Sequence, residues 1–167
     1  MKNQKAFSLI ELLVTVAVAA VLAMVALPNL RNFVVQNRMT ARTNELVKAI
    51  NLARLESISH PSIPALIVPN PDWSTGCRMG RDSDLNQQLE NTEVIKVFNF
   101  GNDLEIIPTN LIDNQITYAS RGRIRLPPDA TSIDFTICNQ DTNQIPQGRK
   151  VTIFATGRVA SESTLCQ

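Results

Sequence analysis

Residues 7–27, FSLIELLVTVAVAAVLAMVAL, form an apolar run whose single charged residue is Glu11. Wound as a helix at about 1.5 Å per residue, the run reaches roughly 31 Å, the depth of a bilayer's hydrocarbon core. A cleaved secretory signal is the competing reading, because Lys2 and Lys5 precede the run. Such a signal has an apolar stretch of about 7–15 residues and a small-x-small cut before a polar mature chain. Here the run is longer, and an amphipathic helix continues directly from it. Lys2 and Lys5 orient the short end toward the cytoplasm. Everything beyond Leu27 is then expected in the periplasm or outside the cell, where disulfides are allowed. Glu11 is the costly residue: a carboxylate within a span is disfavoured by about 2.5–3.5 kcal/mol on insertion scales. It needs a partner, or else it lies shallow enough to reach the interface and favour the helix N-terminus.

Pro28 ends the fully apolar run, and a proline here removes one helical hydrogen bond and kinks or is tolerated in a membrane segment. Residues 29–59 keep a helical rhythm. Leu30, Phe33 and Val34 begin a stripe, and Leu46, Ala49, Ile50 and Ala53 continue one at i, i+3, i+4, i+7. This later half is expected to pack on a sheet. Pro61 and Pro64 stop the helix. Beyond them the chain reads as strands at 65–68, 94–100, 104–107, 116–119, 123–126, 132–138 and 150–155, bounded by Gly101-Asn102-Asp103, Arg121-Gly122 and Pro127-Pro128. Residues 70–91, polar and turn-rich, read as a long loop. The implied fold class is α+β: a long N-terminal helix, membrane-spanning in its first half, packed on an antiparallel sheet or two small ones.

The chain carries 167 residues and a net charge of +1, which excludes a bulk polycation. Cys77, Cys138 and Cys166 make an odd count, allowing one bridge and a free thiol, or a bridge to another chain. The one histidine, His60, sits against Pro61, and no C-x-x-C pair exists, so neither a zinc site nor a His-based triad is expected. Ser57-x-Ser59-His60 lies at a helix end without a nucleophile elbow. The acids look scattered, with no spacing that brings a pair together. No metal, no cofactor and no enzymatic activity are expected.

Lys5-Ala6-Phe7-Ser8-Leu9-Ile10-Glu11-Leu12 resembles the processing site of type IV prepilins and pseudopilins. That resemblance implies a leader over residues 1–6, cleavage by prepilin peptidase between Ala6 and Phe7, and N-methylation of Phe7. The family usually has glycine where Ala6 stands, and alanine is the smallest replacement. The resemblance also gives Glu11 a partner, the amino terminus of a neighbouring subunit in the filament. The new amine on Phe7 would lie at the depth of the buried carboxylate, so their pairing would set register between subunits. Asn51-Leu52-Ala53-Arg54-Leu55-Glu56-Ser57, Phe135-Thr136-Ile137-Cys138, Thr156-Gly157-Arg158-Val159 and Cys166 resemble the GspH/FimT group of minor pilins and pseudopilins. By that analogy Cys138 bridges Cys166, leaving Cys77 free or paired elsewhere. The implied organisation is a leader at 1–6, a transmembrane half-helix at 7–28, an amphipathic half at 29–59, and a β-rich globular domain at 60–167. Implied partners are other major and minor pilins, the prepilin peptidase and the inner membrane, with the globular part periplasmic and later in the extracellular pilus. A pseudopilin of a type II secretion system belongs to the same group.

Charge is uneven along the globular part. Arg78, Arg81 and Lys96 are outnumbered by acids before Tyr118, whereas Arg121, Arg123, Arg125, Arg149, Lys150 and Arg158 outnumber the acids after it. On a strand, Arg121, Arg123 and Arg125 would project from one face, and a row of guanidiniums suits phosphates. The bland alternative is a solvated face balanced by carboxylates. Some FimT-like minor pilins bind DNA through a Gly-Arg-x-Arg motif near the C-terminus. The matching place here reads Gly157-Arg158-Val159-Ala160, lacking the second arginine, while a literal match, Gly122-Arg123-Ile124-Arg125, lies elsewhere. DNA is therefore a candidate partner that pattern alone does not assign.

Overall fold

A computed structural model of the chain describes residues 9–139 and 147–166, without the side chains of residues 28, 29 and 31. The first element is one helix, α1, Leu9–Ser59, 51 residues long and continuous through position 28. Compactness divides the chain into residues 1–37 and 38–167. In the first unit, the apolar side chains from Leu9 to Leu27 are exposed all round. An 18-residue window of α1 has a mean hydropathy of 2.6, and none of it is buried. Leu30, Phe33 and Val34, expected to begin the packing stripe, are exposed as well.

The second unit buries a stripe of the same helix: Met39, Thr43, Leu46, Ala49, Ile50, Ala53 and Ser57. Steps of three and four keep these positions on one face. The two hydroxyls on that face are satisfied by the helix itself, Thr43 donating to Met39 O at 2.8 Å and Ser57 to Arg54 O at 2.8 Å. After Ser59 the main chain closes one more turn, His60 N donating to Glu56 O, before Pro61 and Pro64 turn it away.

Eight strands come next: β1 Ala65–Pro69, β2 Gly76–Arg81, β3 Val94–Asn99, β4 Leu104–Thr109, β5 Ile116–Tyr118, β6 Ser132–Asn139, β7 Gln147–Phe154 and β8 Val159–Leu165. They form two four-stranded sheets, ordered β3-β2-β1-β5 and β4-β6-β7-β8, with every pairing antiparallel. One core joins them to the helix stripe, with Ile67, Met79, Phe98 and Tyr118 from the first sheet and Ile106, Phe135, Ile137, Val151 and Ile153 from the second. The β1–β2 connection ties the sheets together. Trp73 stands edge-on to Phe135 with ring centroids 4.9 Å apart, and Ser74 accepts the Ile106 amide at 3.0 Å.

Three local expectations change. Residues 70–91 are not all loop, because β2 runs through them. Its sequence, GCRMGR, looks like a turn, yet a Cβ at Gly76 would overlap Phe98 O of β3, and one at Gly80 would overlap Glu93 O just before β3. The glycines serve close strand approach. β8, VASESTL, has no fully buried side chain and so carries no alternation to read. The expected strand at 123–126 does not form. Ser120–Gly122 is a 3₁₀ turn in which Arg121 and Gly122 take φ of 63° and 72°. The residues after this turn are extended but shared: Arg125 N donates to Thr117 O of β5 at 2.9 Å, and Ile124 N to Ala155 O after β7 at 3.3 Å. A segment that splits its hydrogen bonds between two sheets belongs to neither ladder.

Candidate functional site

The processing pair, Ala6 and Phe7, lies outside the described residues. Glu11 stands in the first turn of α1, the one charged residue between Leu9 and Leu27. Its neighbours Leu9, Ile10, Leu12 and Leu13 are all more than half exposed. Leucine, valine and alanine favour the helix, but none of this stretch is packed by the chain's own core. The stability of an apolar half-helix of this kind comes from lipid or from sister helices.

Cys138, at the end of β6, is bonded to Cys166, just beyond β8, with Cα atoms 5.9 Å apart. The bridge crosses over Gly148 of β7, where a Cβ would overlap the Cys166 sulfur. Cys77 is free and buried in β2, and burial pushes its thiol up to about 12. It has the properties of a packed apolar side chain rather than a nucleophile. His60 is engaged locally, Nδ1 lying 3.4 Å from Glu56 and Nε2 3.0 Å from Arg81.

The six basic candidates separate into three groups. Arg149 and Lys150 sit on β7, half-buried and occupied: Arg149 donates to Thr40 at 3.3 Å, and Lys150 lies 3.3 Å from Asp134. Arg125 is exposed and donates to the side-chain oxygen of Gln87. Arg121, Arg123 and Arg158 are exposed and lie on two touching turns. Gly157 (φ +77°) packs so tightly on Gly122 that a Cβ at Gly157 would overlap Gly122 O. Tyr118 reinforces the junction by donating to Gly157 O at 3.3 Å, and burial pushes its hydroxyl pKa upward. Arg54 of α1 reaches the same place, donating to Thr156 O at 3.4 Å. The two Gly-Arg dipeptides, separate in sequence, are therefore neighbours. Arg158 also lies over the Phe154 ring at 5.1 Å. The single strand face expected for Arg121, Arg123 and Arg125 is replaced by this junction, which keeps Arg121 and Arg123, adds Arg158 and leaves Arg125 on Gln87.

The expectation that no acids come together is also corrected. Asp82, Asp84 and Glu93 place ligand-capable atoms within 4.8 Å of one another in the β2–β3 connection. β2 and β3 pair antiparallel, so the ends of the connection are brought together by the hairpin, Arg81 N donating to Glu93 O at 3.3 Å. The spacing Asp82-x-Asp84-x-Asn86 is the available signal, masked when the stretch is read as a featureless loop.

Comparison with known proteins gives a consistent set of relatives. The prokaryotic N-terminal methylation motif matches residues 1–27, and the type II transport protein GspH model matches residues 42–157, most of the chain. A type IV wide pilus major component, PilA4 of Thermus thermophilus, is 37% identical over 71 residues, covering 41% of this chain and 54% of its own. The match spans about half the length of that relative. Among solved structures, the type IV minor pilin FimU of Pseudomonas aeruginosa aligns in two crystal forms, each with a TM-score of 0.57 and covering 92% of its own chain. Identities are 20% and 19%, over 78% and 74% of the present chain, a likeness of fold.

Proposed function

The chain belongs to the type II transport protein GspH family, and from that premise we propose that it is a minor pilin of a type IV pilus that primes assembly at or near the filament tip. Members of this pilin and pseudopilin family are structural subunits, anchored by an N-terminal apolar helix that carries a globular domain. The observation that carries the reading is α1 between Leu9 and Leu27. It is apolar on every side, unburied within its own chain, and interrupted by one carboxylate in its first turn. Lipid covers such a surface before assembly, and sister helices cover it afterwards. Glu11 would then pair with the methylated amine of Phe7 on a neighbour once prepilin peptidase has removed residues 1–6. The pilus assignment over a type II secretion pseudopilin is supported by the FimU fold and the PilA4 segment, both from pilus proteins.

Glu11→Ala in the full chain, expressed in cells, tests the pairing. We expect an unchanged amount in the inner membrane and at least a tenfold loss from sheared filaments, since an uncompensated buried amine costs several kcal/mol. Normal incorporation would sink the pairing. Appearance in type II secretion filaments rather than pili would move the subunit to the other machine.

A second reading, a DNA receptor at the tip, is favoured by the junction of Gly122-Arg123 with Gly157-Arg158 and the nearby Arg54. Exposed guanidiniums on adjacent turns can contact successive phosphates without reading sequence. Duplex DNA titrated with the full chain in detergent, at two salt concentrations, is the measurement. Salt-sensitive binding lost in Arg121→Ala/Arg123→Ala/Arg158→Ala supports this reading. Absence of binding at low salt leaves the assembly role alone.

A further inference from the structure

The β2–β3 connection reads D-S-D-L-N-Q-Q-L-E-N-T-E from Asp82 to Glu93. Twelve-residue calcium loops take their ligands from positions 1, 3, 5, 7, 9 and 12, with a main-chain carbonyl at 7 and a bidentate glutamate at 12. Those positions here are Asp82, Asp84, Asn86, Gln88, Glu90 and Glu93. Every side-chain position in the series carries an oxygen donor. One departure exists: Gln87 holds position 6, where calcium loops carry glycine for a sharp turn. Gln87 nevertheless takes φ 65°, and Leu85 takes φ 63°.

Spacing in the sequence and convergence in space are separate observations, and both point to one ligand class. Asp82, Asp84 and Glu93, up to eleven positions apart, present their oxygens within 4.8 Å. A third observation concerns charge. The Asp82 side chain has 0% exposure, and among the described residues no ion pair involves Asp82, Asp84, Glu90 or Glu93. The cations around the loop are engaged with other groups: Arg81 with Glu56, and Arg78 and Arg125 with the loop's own amides Asn91 and Gln87. Amides do bind the carboxylates, Asn86 N and Gln87 N donating to Asp82 at 3.0 Å each, and Ser83 N to Glu93. The Asn86 side-chain amide also donates to Asp84 at 2.9 Å and to Glu90 at 2.7 Å. Dipoles of this kind orient the groups but bring no cation to the three clustered carboxylates. A buried carboxylate without a cation is costly, and pairing or metal coordination is how such charge is accommodated.

We propose that residues Asp82–Glu93 form a calcium site, with Asp82, Asp84, Glu90 and Glu93 supplying side-chain oxygens and Gln88 its carbonyl, while Asn86, whose amide nitrogen faces Asp84 and Glu90 without the ion, turns to present its oxygen. The all-oxygen set, without His or Cys, selects a hard cation over zinc or copper. Several flexible carboxylates suit calcium's six to eight ligands better than magnesium's compact, water-retaining octahedron. The ion would have a structural consequence beyond the loop. Gln87 accepts from the Gln115 side chain through its carbonyl at 3.1 Å and from Arg125 through its own side chain. Fixing the loop thus fixes what Arg125 rests on.

The full chain in detergent, stripped with chelator and titrated with calcium chloride by calorimetry and thermal unfolding, tests the site. We expect one saturable ion with a dissociation constant no weaker than about 10⁻³ M, the range of extracellular calcium modules, and a rise in Tm on saturation. Asp84→Asn, an exposed change, and Glu93→Gln should each weaken uptake at least tenfold while unfolding in chelator like the parent chain. Glu162→Gln, on β8, should leave uptake unchanged. Matching unfolding in chelator separates loss of the ion from loss of the fold. A parent chain that takes up no calcium, uptake that survives the Asp84→Asn/Glu93→Gln double change, or equal saturation by magnesium overturns the proposal.

Discussion

The sheets β4-β6-β7-β8 and β3-β2-β1-β5 share one core and an equal number of strands, but they are specified by different means. In the first, inward and outward residues alternate from Ser132 to Ile137 in β6 and from Lys150 to Phe154 in β7, and a disulfide closes the far edge. Register there is set by apolar pattern, since a one-residue slip would expose Ile133, Phe135 and Ile137 together. In the second, register rests on glycines that admit a neighbouring backbone and on the hairpin that draws Asp82 and Glu93 together. It is the sheet with a buried free thiol and a loop rich in charge. Pattern and covalent closure produce a scaffold, while close backbone approach and polar loops produce a place for a ligand.

Phe135→Ala should break the distinction most severely, because Phe135 of β6 packs against Trp73 from the β1–β2 connection of the other sheet. Removing a buried phenyl costs about 3–5 kcal/mol, and hydrogen exchange should rise in both sheets. A rise limited to β6 and its neighbours would show that the sheets open independently. Next in size is Cys138→Ser with Cys166→Ser. The bridge closes a 28-residue separation, worth about 3–4 kcal/mol in the chain-entropy model. The increase in exchange should concentrate in β7 and β8 and spare β1–β3, and an equal increase in both sheets would remove the contrast.

The thiol of Cys77 sharpens the contrast from the other side. Burial raises it to about 12, so the folded chain keeps a proton that an unfolded thiol releases near pH 8.5. The folded pKa is the higher one. The associated stability is therefore complete below about pH 8.5 and is lost as pH rises toward 12. By pH 10 the loss amounts to about 2 kcal/mol. Denaturant titrations at pH 7.5 and pH 10 should show this loss in the parent chain and a smaller one in Cys77→Ala.

Much of this architecture is legible in the sequence, and the reasons for the gaps are physical. The helix, six strands and the stop at Pro61 can be read from apolar periodicity and from turn residues. β2 is hidden because Gly76 and Gly80 are strand residues chosen for close approach, and glycine ordinarily signals a turn. β8 is hidden because no residue on it is fully buried. The segment after Arg121 misleads because alternation around buried Ile124 imitates a strand, although its main chain serves two sheets. At the candidate sites, Glu11 stands out by cost alone. The Cys138–Cys166 pairing and the processing at Ala6 and Phe7 are legible only by resemblance. Arg158 joins Arg123 through a contact between Gly122 and Gly157, 35 positions apart in the sequence, which no local pattern encodes. The carboxylates of the β2–β3 connection do carry a local pattern, the spacing of Asp82, Asp84 and Asn86.

The smallest effect expected is that of Lys150→Ala, and it separates the occupied basic residues from the exposed ones. Lys150 lies 3.3 Å from Asp134, with about a third of its side chain exposed. An ion pair of this exposure contributes about 0.2–1 kcal/mol. Loss of the lysine does not orphan the carboxylate, because Thr152 also donates to Asp134 at 2.7 Å. Unfolding free energy should therefore fall by less than about 1 kcal/mol, and DNA titration of the full chain should be unchanged. Arg158→Ala, by contrast, removes an exposed guanidinium that lies over the Phe154 ring, so its effect should appear mainly in the salt slope and less in stability. If Lys150→Ala weakens DNA binding as much as Arg158→Ala does, β7 rather than the Gly122–Gly157 junction presents the basic surface.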